Sequence, residues 1–278
     1  PRAFTAGVIA AAGSTDILIP PSIAFVIYSL LVPQASVPAL FAAGMVPGIL
    51  SGLTLILVAW WLSVRHNFEA GHDADRPPFW QSLKDAGWGL LAPVIILGGM
   101  RSGLFTPTEA AVVAVFYGLL VGMVIYRTLT WKAVYDVLVE SAEISSVILT
   151  VVALASVFAW ASNTLGTFDH LAKALLGTGL SEIAMLLSIQ LLLLIAGMFL
   201  DAISIYCIFL PLLVPIATHF NWDLVWFGVI ITMNMALGQF HPPLGVNLMV
   251  TCRMAGVSME STVPWVLWMV AAMAGTMF

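Results

Sequence analysis

The sequence predicts an all-α integral membrane fold organised as an inverted repeat of broken helices, and three observations carry that prediction. Of 278 residues, 61% are hydrophobic and only 8% are charged, whereas a soluble domain carries about 25% charged residues to keep its surface in water. Apolar runs recur along the whole chain at the length of about 20 residues that crosses a hydrocarbon core as helix. A segment broken by two consecutive prolines then occurs twice, at Pro20-Pro21 and at Pro242-Pro243. The net charge of −5 is spread over short loops, so no basic patch points to nucleic acid. Cys207 and Cys252 both sit in apolar stretches and read as packing residues, with neither disulfide nor metal spacing.

The elements follow in order. Residues 1–39 form a first broken helix, apolar from Ala3 to Val32 but interrupted by Ser14-Thr15-Asp16 and by Pro20-Pro21. Residues 40–85 hold a span from Leu40 to Val64, then a polar loop from Arg65 to Asp85 that carries His66 and His72. Residues 86–181 supply scaffold helices: a short span Ala86–Met100, the turn RSGLFTPTEA, a return Ala110–Tyr126, an interfacial stretch Arg127–Glu143 and a span Ile144–Ser162. Residues 182–223 read as a re-entrant hairpin, Ile183–Leu200 and Ala202–Ala217, with Asp201 at its tip. Residues 224–256 form the second broken helix, Val225–Leu237, the break GQFHPPLG and Val246–Ala255. Residues 257–278 close the chain as an arm and a helix. The chain opens on Pro1 in an already apolar run, which reads as a fragment lacking an N-terminal part.

With that topology, Arg2, Arg65, Arg76, Lys84, Arg127, Lys132 and Arg253 share one side, and only Arg101 and Lys173 fall on the other. The positive-inside rule makes the first side cytoplasmic. Trp60, Trp61, Trp88, Trp222, Trp226 and Trp265 lie near predicted span ends, where amphipathic rings sit at an interface.

The repeat is the most informative feature. GVIAAAGSTDILIPPSIAFVIY, from Gly7, resembles GVIITMNMALGQFHPPLGVNLMV, from Gly228; a shift of 222 superposes the two proline pairs and puts Ser36 on Ser258. The first copy runs outward and the second inward, the common construction of secondary transporters, whose sites lie where broken helices meet. Two prolines remove two backbone donors, so nearby polar groups lose partners. In lipid each such group costs several kcal/mol, and a break of this kind persists only in protein or beside a wet cavity. Freed carbonyls suit Na⁺, and half-helix N-termini suit an anion. Plain proline kinks are the structural alternative.

GSTDILIPPSIAFVIY, FTPTEAAVVAVFYGLLVGMVIYR, GMFLDAISIYCIFLPLLVPIA and FGVIITMNMALGQFHPPLGVNL resemble, in order and over nearly the whole chain, the large membrane subunit of tripartite ATP-independent periplasmic (TRAP) transporters. The resemblance implies an elevator-type, multi-pass transporter of a bacterial or archaeal inner membrane, with two re-entrant hairpins and two broken helices in its moving domain. It implies a small membrane subunit and a periplasmic binding protein as partners, an organic acid (a carboxylate) as substrate, Na⁺ as coupling ion and no other cofactor or metal. On that pattern the chain starts after the first hairpin, and alone it is not expected to transport. Two residues depart from it: Asp16 replaces a small apolar residue, often Gly, and His241 replaces a Thr.

The sodium candidates are Gly13, Ser14, Asp201, Asn234 and Gly238. Asp201 is an ionisable group between two apolar runs, which is costly unless paired or functional; its structural alternative is a solvated helix end. Asn234 is a candidate ligand or an interhelical hydrogen bonder, and Gly238 admits an ion or the hairpin tip to the backbone. Ser14 and nearby carbonyls offer oxygens at the first break. The substrate candidates are Asp16, Pro20, Pro21, Ser22, His241, Pro242, Pro243 and Asn247, with Ser22 and Asn247 at the starts of the following half-helices, where an anion is favoured. His241 suits substrate or a proton better than Na⁺, which prefers oxygen. Thr106-Pro107-Thr108-Glu109 fits a capping box, which gives Glu109 a structural role. His170 and His219 fall near the outer interface. No nucleophile motif, phosphate loop or metal spacing supports an enzyme. The alternatives are a carrier that works without a binding protein, coupled to Na⁺ or to H⁺ through Asp16 and His241, and a transport-dead scaffold or receptor.

Overall fold

In a chain this apolar, hydrophobic runs do not say where one helix ends and the next begins; caps and prolines do. A capping side chain accepts from a first-turn amide and contributes about 1 kcal/mol in water, and matters more where no water can substitute. The computed structural model describes residues 1–68 and 78–277, and its regular elements there are all helical. They are α1 (Arg2–Ser14), α2 (Ile23–Leu31), α3 (Val37–Arg65), α4 (Phe79–Arg101), α5 (Pro107–Leu120), α6 (Trp131–Thr164), α7 (Thr167–Leu176), α8 (Glu182–Gly197), α9 (Ala202–His219), α10 (Leu224–Phe240), α11 (Val246–Ala255) and α12 (Val263–Gly275). Ser22, Ser36, Thr106, Ser181, Asp201 and Asp223 cap α2, α3, α5, α8, α9 and α10. Thr106 and Glu109 form the expected reciprocal box. Among the described residues five helices are long and apolar enough to cross a membrane: α3, α4, α5 with the π-helical turn Val121–Ile125 that continues it, α6 and α9.

The chain divides into two units, Glu69–Thr150 and Pro1–Phe68 with Val151–Phe278. In the smaller one α4 packs on α5. The Tyr117 hydroxyl donates to the Trp88 carbonyl at 2.6 Å, and the Tyr126 hydroxyl donates to the Asp85 carbonyl.

In the larger unit the two broken helices are α1–α2 and α10–α11. Each half-helix packs on the opposite half of the other copy: α1 on α11, and α2 on α10. Exchanging α1, α2 and α3 for α10, α11 and α12 also turns the α1–α12 contact into α10–α3. Direction follows from which ends touch. Gly13, at the end of α1, abuts Asn247 at the start of α11, while Arg2 and Met254 line one cleft at the opposite ends of those helices. Tyr28, late in α2, donates its hydroxyl to the Leu224 carbonyl, where α10 begins, at 2.8 Å. The two copies therefore run antiparallel. α8 and α9 pack together as a hairpin, α8 against α10 and α9 against α2.

Several expectations are corrected. The loop expected from Arg65 to Asp85 gives way to helix at Phe79, so α4 is a full 23 residues rather than the short Ala86–Met100. Lys84 and Asp85 sit in its early turns, about 35 Å of helix being longer than a 30 Å apolar core. His72 and Arg76 lie outside the described residues. The interfacial stretch expected at Arg127–Glu143 and the span at Ile144–Ser162 are largely one continuous helix, α6, of 34 residues. At 1.5 Å per residue α6 is about 51 Å long, so its polar first third overshoots the apolar layer. The short amphipathic α7 was not expected at all; only its spacing within TFDHLAKALL signals it.

Candidate ion and substrate site at the two helix breaks

At the first break α1 passes into a 3-10 turn over Thr15–Ile17 before the chain extends through the prolines. The Pro20–Pro21 peptide is cis, as is Pro242–Pro243. Ser14 is fully buried and donates its hydroxyl to the Ala11 carbonyl at 2.7 Å, which leaves its oxygen lone pairs free to accept. Ser22 is buried and spans the break: Oγ donates to the Ile17 carbonyl at 2.5 Å and accepts from the Phe25 amide at 3.3 Å. Its hydroxyl is therefore committed to closing the break. Gly13, Asp16 and Pro21 are exposed, and Pro20 is buried.

At the second break α10 stops at Phe240 and His241 is extended. The His241 Nδ1 faces the Pro242 carbonyl. A carbonyl only accepts, so Nδ1 is the donor in this contact. The chain doubles back so tightly that a side chain at Gly245 would place its Cβ 2.7 Å from the Gln239 carbonyl oxygen; only glycine fits. Asn247 Nδ2 then donates to Gln239 Oε1 at 2.9 Å across the break. Gly13 comes within van der Waals reach of the same Asn247 amide. Pro243 is exposed, and His241, Pro242, Gln239 and Asn247 are half-buried.

The hairpin lies on α10 at three levels. Near its base, Trp222 Nε1 donates to Glu182 Oε1 at 2.7 Å. Midway, Asn234 Nδ2 donates to both the backbone carbonyl and Oε1 of Gln190, each at 2.8 Å, and Tyr206 and Thr232 share a hydrogen bond of 2.6 Å. At the tip, a Cβ on Gly238 would lie 2.8 Å from the Gly197 backbone, so the two chains touch main chain to main chain. Asn234 Oδ1 and Gln190 Nε2 are buried without a partner among the described residues. Oδ1 can still accept and Nε2 can still donate, so the pair has hydrogen-bonding capacity left over inside the interface.

Asp201 occupies the hairpin turn as expected but serves as the N-cap of α9. Its carboxylate accepts from the Ile203 amide at 3.0 Å and the Ser204 amide at 3.4 Å, and from the Ser204 hydroxyl. The structure thus joins Gly13 to Asn247 and Gly238 to the hairpin, and puts Asn234 in the α8–α10 interface. Gln190 and Gln239 escaped the sequence reading. Each is a lone amide in an apolar helix, and that was the available signal. Neither break, residues 13–22 or 238–247, contains Lys or Arg. Among the described residues no three His, Cys, Asp or Glu side chains gather as metal ligands.

The family model of the tripartite ATP-independent periplasmic transporter, DctM component, matches residues 1–278. The chain belongs to this family. It is 38% identical, over 97% of its length, to an isethionate TRAP transporter permease protein of Oleidesulfovibrio alaskensis, of which it covers 42%. It is also 38% identical to a C4-dicarboxylate TRAP transporter large permease protein of Pseudomonas aeruginosa, over 96% of the chain and 63% of that protein. A 2,3-diketo-L-gulonate TRAP transporter large permease protein of Escherichia coli is again 38% identical, over 93% of the chain and 60% of its own length. The chain therefore spans about two-fifths to two-thirds of these relatives. With several apolar helices of span length, it is a multi-pass membrane protein of this family.

Proposed function

We propose that this chain carries the ion- and substrate-handling core of a Na⁺-coupled TRAP permease that takes up an organic anion across a prokaryotic inner membrane. The observation that supports this most is the antiparallel pair of broken helices, each crossing the other's opposite half, with amides and carbonyls released at both proline pairs. The cytoplasmic side is the one shared by Arg2 and Arg253, by the excess of Lys and Arg there.

Na⁺ is held by oxygens: carbonyls freed around Gly13 and Gly238, the Ser14 hydroxyl, and Asn234 Oδ1, a buried acceptor whose own amide hydrogens are taken by Gln190. Asp201 acts by fixing the hairpin turn and by its charge. The substrate anion lies between the breaks, near Asn247, His241 and the proline pairs, where α2 and α11 begin and their dipoles favour negative charge. Ser22 and Asp16 frame that space from the first break. The hairpin α8–α9 is re-entrant, α8 being about 24 Å long, and it moves with α10 as part of an elevator domain. A small membrane subunit and a periplasmic binding protein complete the system. The relatives named for isethionate, a C4-dicarboxylate and 2,3-diketo-L-gulonate share an oxyanion group, which is the substrate class proposed here.

A proton-coupled reading rests on Asp16 and His241, one titratable group at each break. Reconstituting the full-length protein in liposomes with and without its two partners tests the main reading. Uptake of an organic anion only when both partners are present supports it. Uptake by the large permease alone turns it into a binding-protein-independent carrier, and no uptake under any combination points to a scaffold.

A further inference from the structure

We infer that Gln190 is a positioning residue that holds Asn234 Oδ1 in place for the coupling ion, an assignment that rests on the Na⁺ reading above. Both side chains are enclosed between α8 and α10, Gln190 at 7% exposure and Asn234 at 3%. Asn234 Nδ2 donates to the Gln190 backbone carbonyl and to Gln190 Oε1, each at 2.8 Å, so both of its hydrogens are committed. The backbone contact settles which way the Asn234 amide faces. Turned over, it would set Oδ1 against a carbonyl oxygen that has no hydrogen to give, and no rotation of the Gln190 side chain could repair that. Oδ1 is thereby left as an oriented acceptor, buried and without a partner among the described residues.

A second unused oxygen belongs to the same interface. A Cβ on Gly238 would lie 2.9 Å from the Gly197 carbonyl oxygen, and that carbonyl accepts from no donor among the described residues. Gly197 closes α8, and Gly238 stands one turn beyond Asn234 on α10. A hard cation takes oxygens of these two kinds, and it binds more tightly when they are held in place before it arrives. Gln190 supplies that hold for the side-chain oxygen. With an apolar residue at 190 only the backbone bond remains, and the Asn234 amide is free to pivot about it. The rival occupant is a single water that donates to Oδ1 and accepts from Gln190 Nε2, which makes the pair a structural tie. The two cases differ in what Gln190 governs: ion affinity in the first, stability alone in the second.

One titration reads both quantities. The thermal unfolding midpoint of the full-length protein in detergent is followed as Na⁺ replaces choline at constant ionic strength, since an ion that binds the folded state raises the midpoint. The midpoint without Na⁺ reports the tie, and the half-saturating Na⁺ concentration reports the ion site. Gln190→Leu should raise that concentration about fivefold or more. Gln190→Glu keeps an acceptor oxygen for Asn234 Nδ2, protonated or not, so it should stay at or below about threefold of the wild-type value. In an Asn234→Leu background Gln190→Leu should cause no further rise, because it acts only through Asn234. A Gln190→Leu protein whose midpoint falls while its half-saturating Na⁺ concentration is unchanged overturns the assignment and leaves Gln190 a structural tie; so does an additive rise in the double variant. If Gln190→Leu does not fold, Gln190→Ser, whose short side chain leaves room for water beside Asn234, takes its place and is decided by the same two outcomes. A wild-type midpoint indifferent to Na⁺ strikes the Na⁺ reading itself, and the assignment falls with it.

Discussion

At Gly238 two magnitudes oppose each other. Alanine would gain about 1 kcal/mol in helix propensity, but its Cβ would press within 2.8 Å of the Gly197 backbone, and overpacking costs typically about 1–3 kcal/mol. Backbone cannot rotate aside as a side chain does, so the clash wins. Gly238→Ala should lower the thermal unfolding midpoint in detergent, and Gly238→Val should lower it further. Ser22→Ala removes both a cap and the link to Ile17 across the first break. A loss of about 1 kcal/mol or more follows, read as a lower midpoint in the same assay. The sequence made some of these residues legible and hid others. Ser22 stands just past the proline pair and reads as a cap or a ligand, but only coordinates show its hydroxyl already engaged on both sides. Asp201 was conspicuous as a charge between apolar runs, and the structure gives that carboxylate three donors from its own first turn. Gln190 stood out only as a lone amide in an apolar helix, and its partner lies 44 residues away on another helix.

Between elements, the Gln190–Asn234 amide pair joins the hairpin to the second broken helix. Removing one partner leaves the other buried and unsatisfied, at a cost of about 1–3 kcal/mol, whereas replacing both by apolar groups of similar shape is close to neutral. Gln190→Leu and Asn234→Leu should each destabilise the protein, and the double variant should recover most of the loss; additive losses would contradict the pairing. Element boundaries were legible wherever a cap or a proline marked them. The Thr106 box, the two proline breaks and the hairpin turn at Asp201 all stand where composition placed them. The start of α4 and the continuity of α6 were not legible, because charged residues at a membrane boundary look the same in a loop as in a helix that continues past it. For α6 the consequence is measurable. A cysteine at Asp136 should react quickly with a membrane-impermeant thiol reagent and one at Val147 slowly; equal rates would contradict a helix crossing the interface between them.

For the whole molecule, two antiparallel broken helices and a hairpin make one interlocked unit, and three kinds of contact share its interior. The Ser22 hydroxyl closes the first break and the Asn247–Gln239 amide bond the second, amides tie the hairpin to α10, and glycines let main chains meet. The repeat was legible in the sequence because the proline pairs recur at one spacing. The exchange of packing partners, α1 on α11 and α2 on α10, was not, since the few polar residues of each half-helix do not point it at a partner. This unit carries the proposed coupling of an organic anion to Na⁺.

Its most direct test is uptake by the full-length protein with its partners in liposomes, for wild type and Asn234→Leu. A Na⁺ gradient is imposed at constant pH, and separately a pH gradient without Na⁺. The wild type should accumulate anion only under the Na⁺ gradient, and Asn234→Leu should raise the half-saturating Na⁺ concentration tenfold or more. Accumulation driven by the pH gradient alone would contradict it and shift coupling to Asp16 and His241.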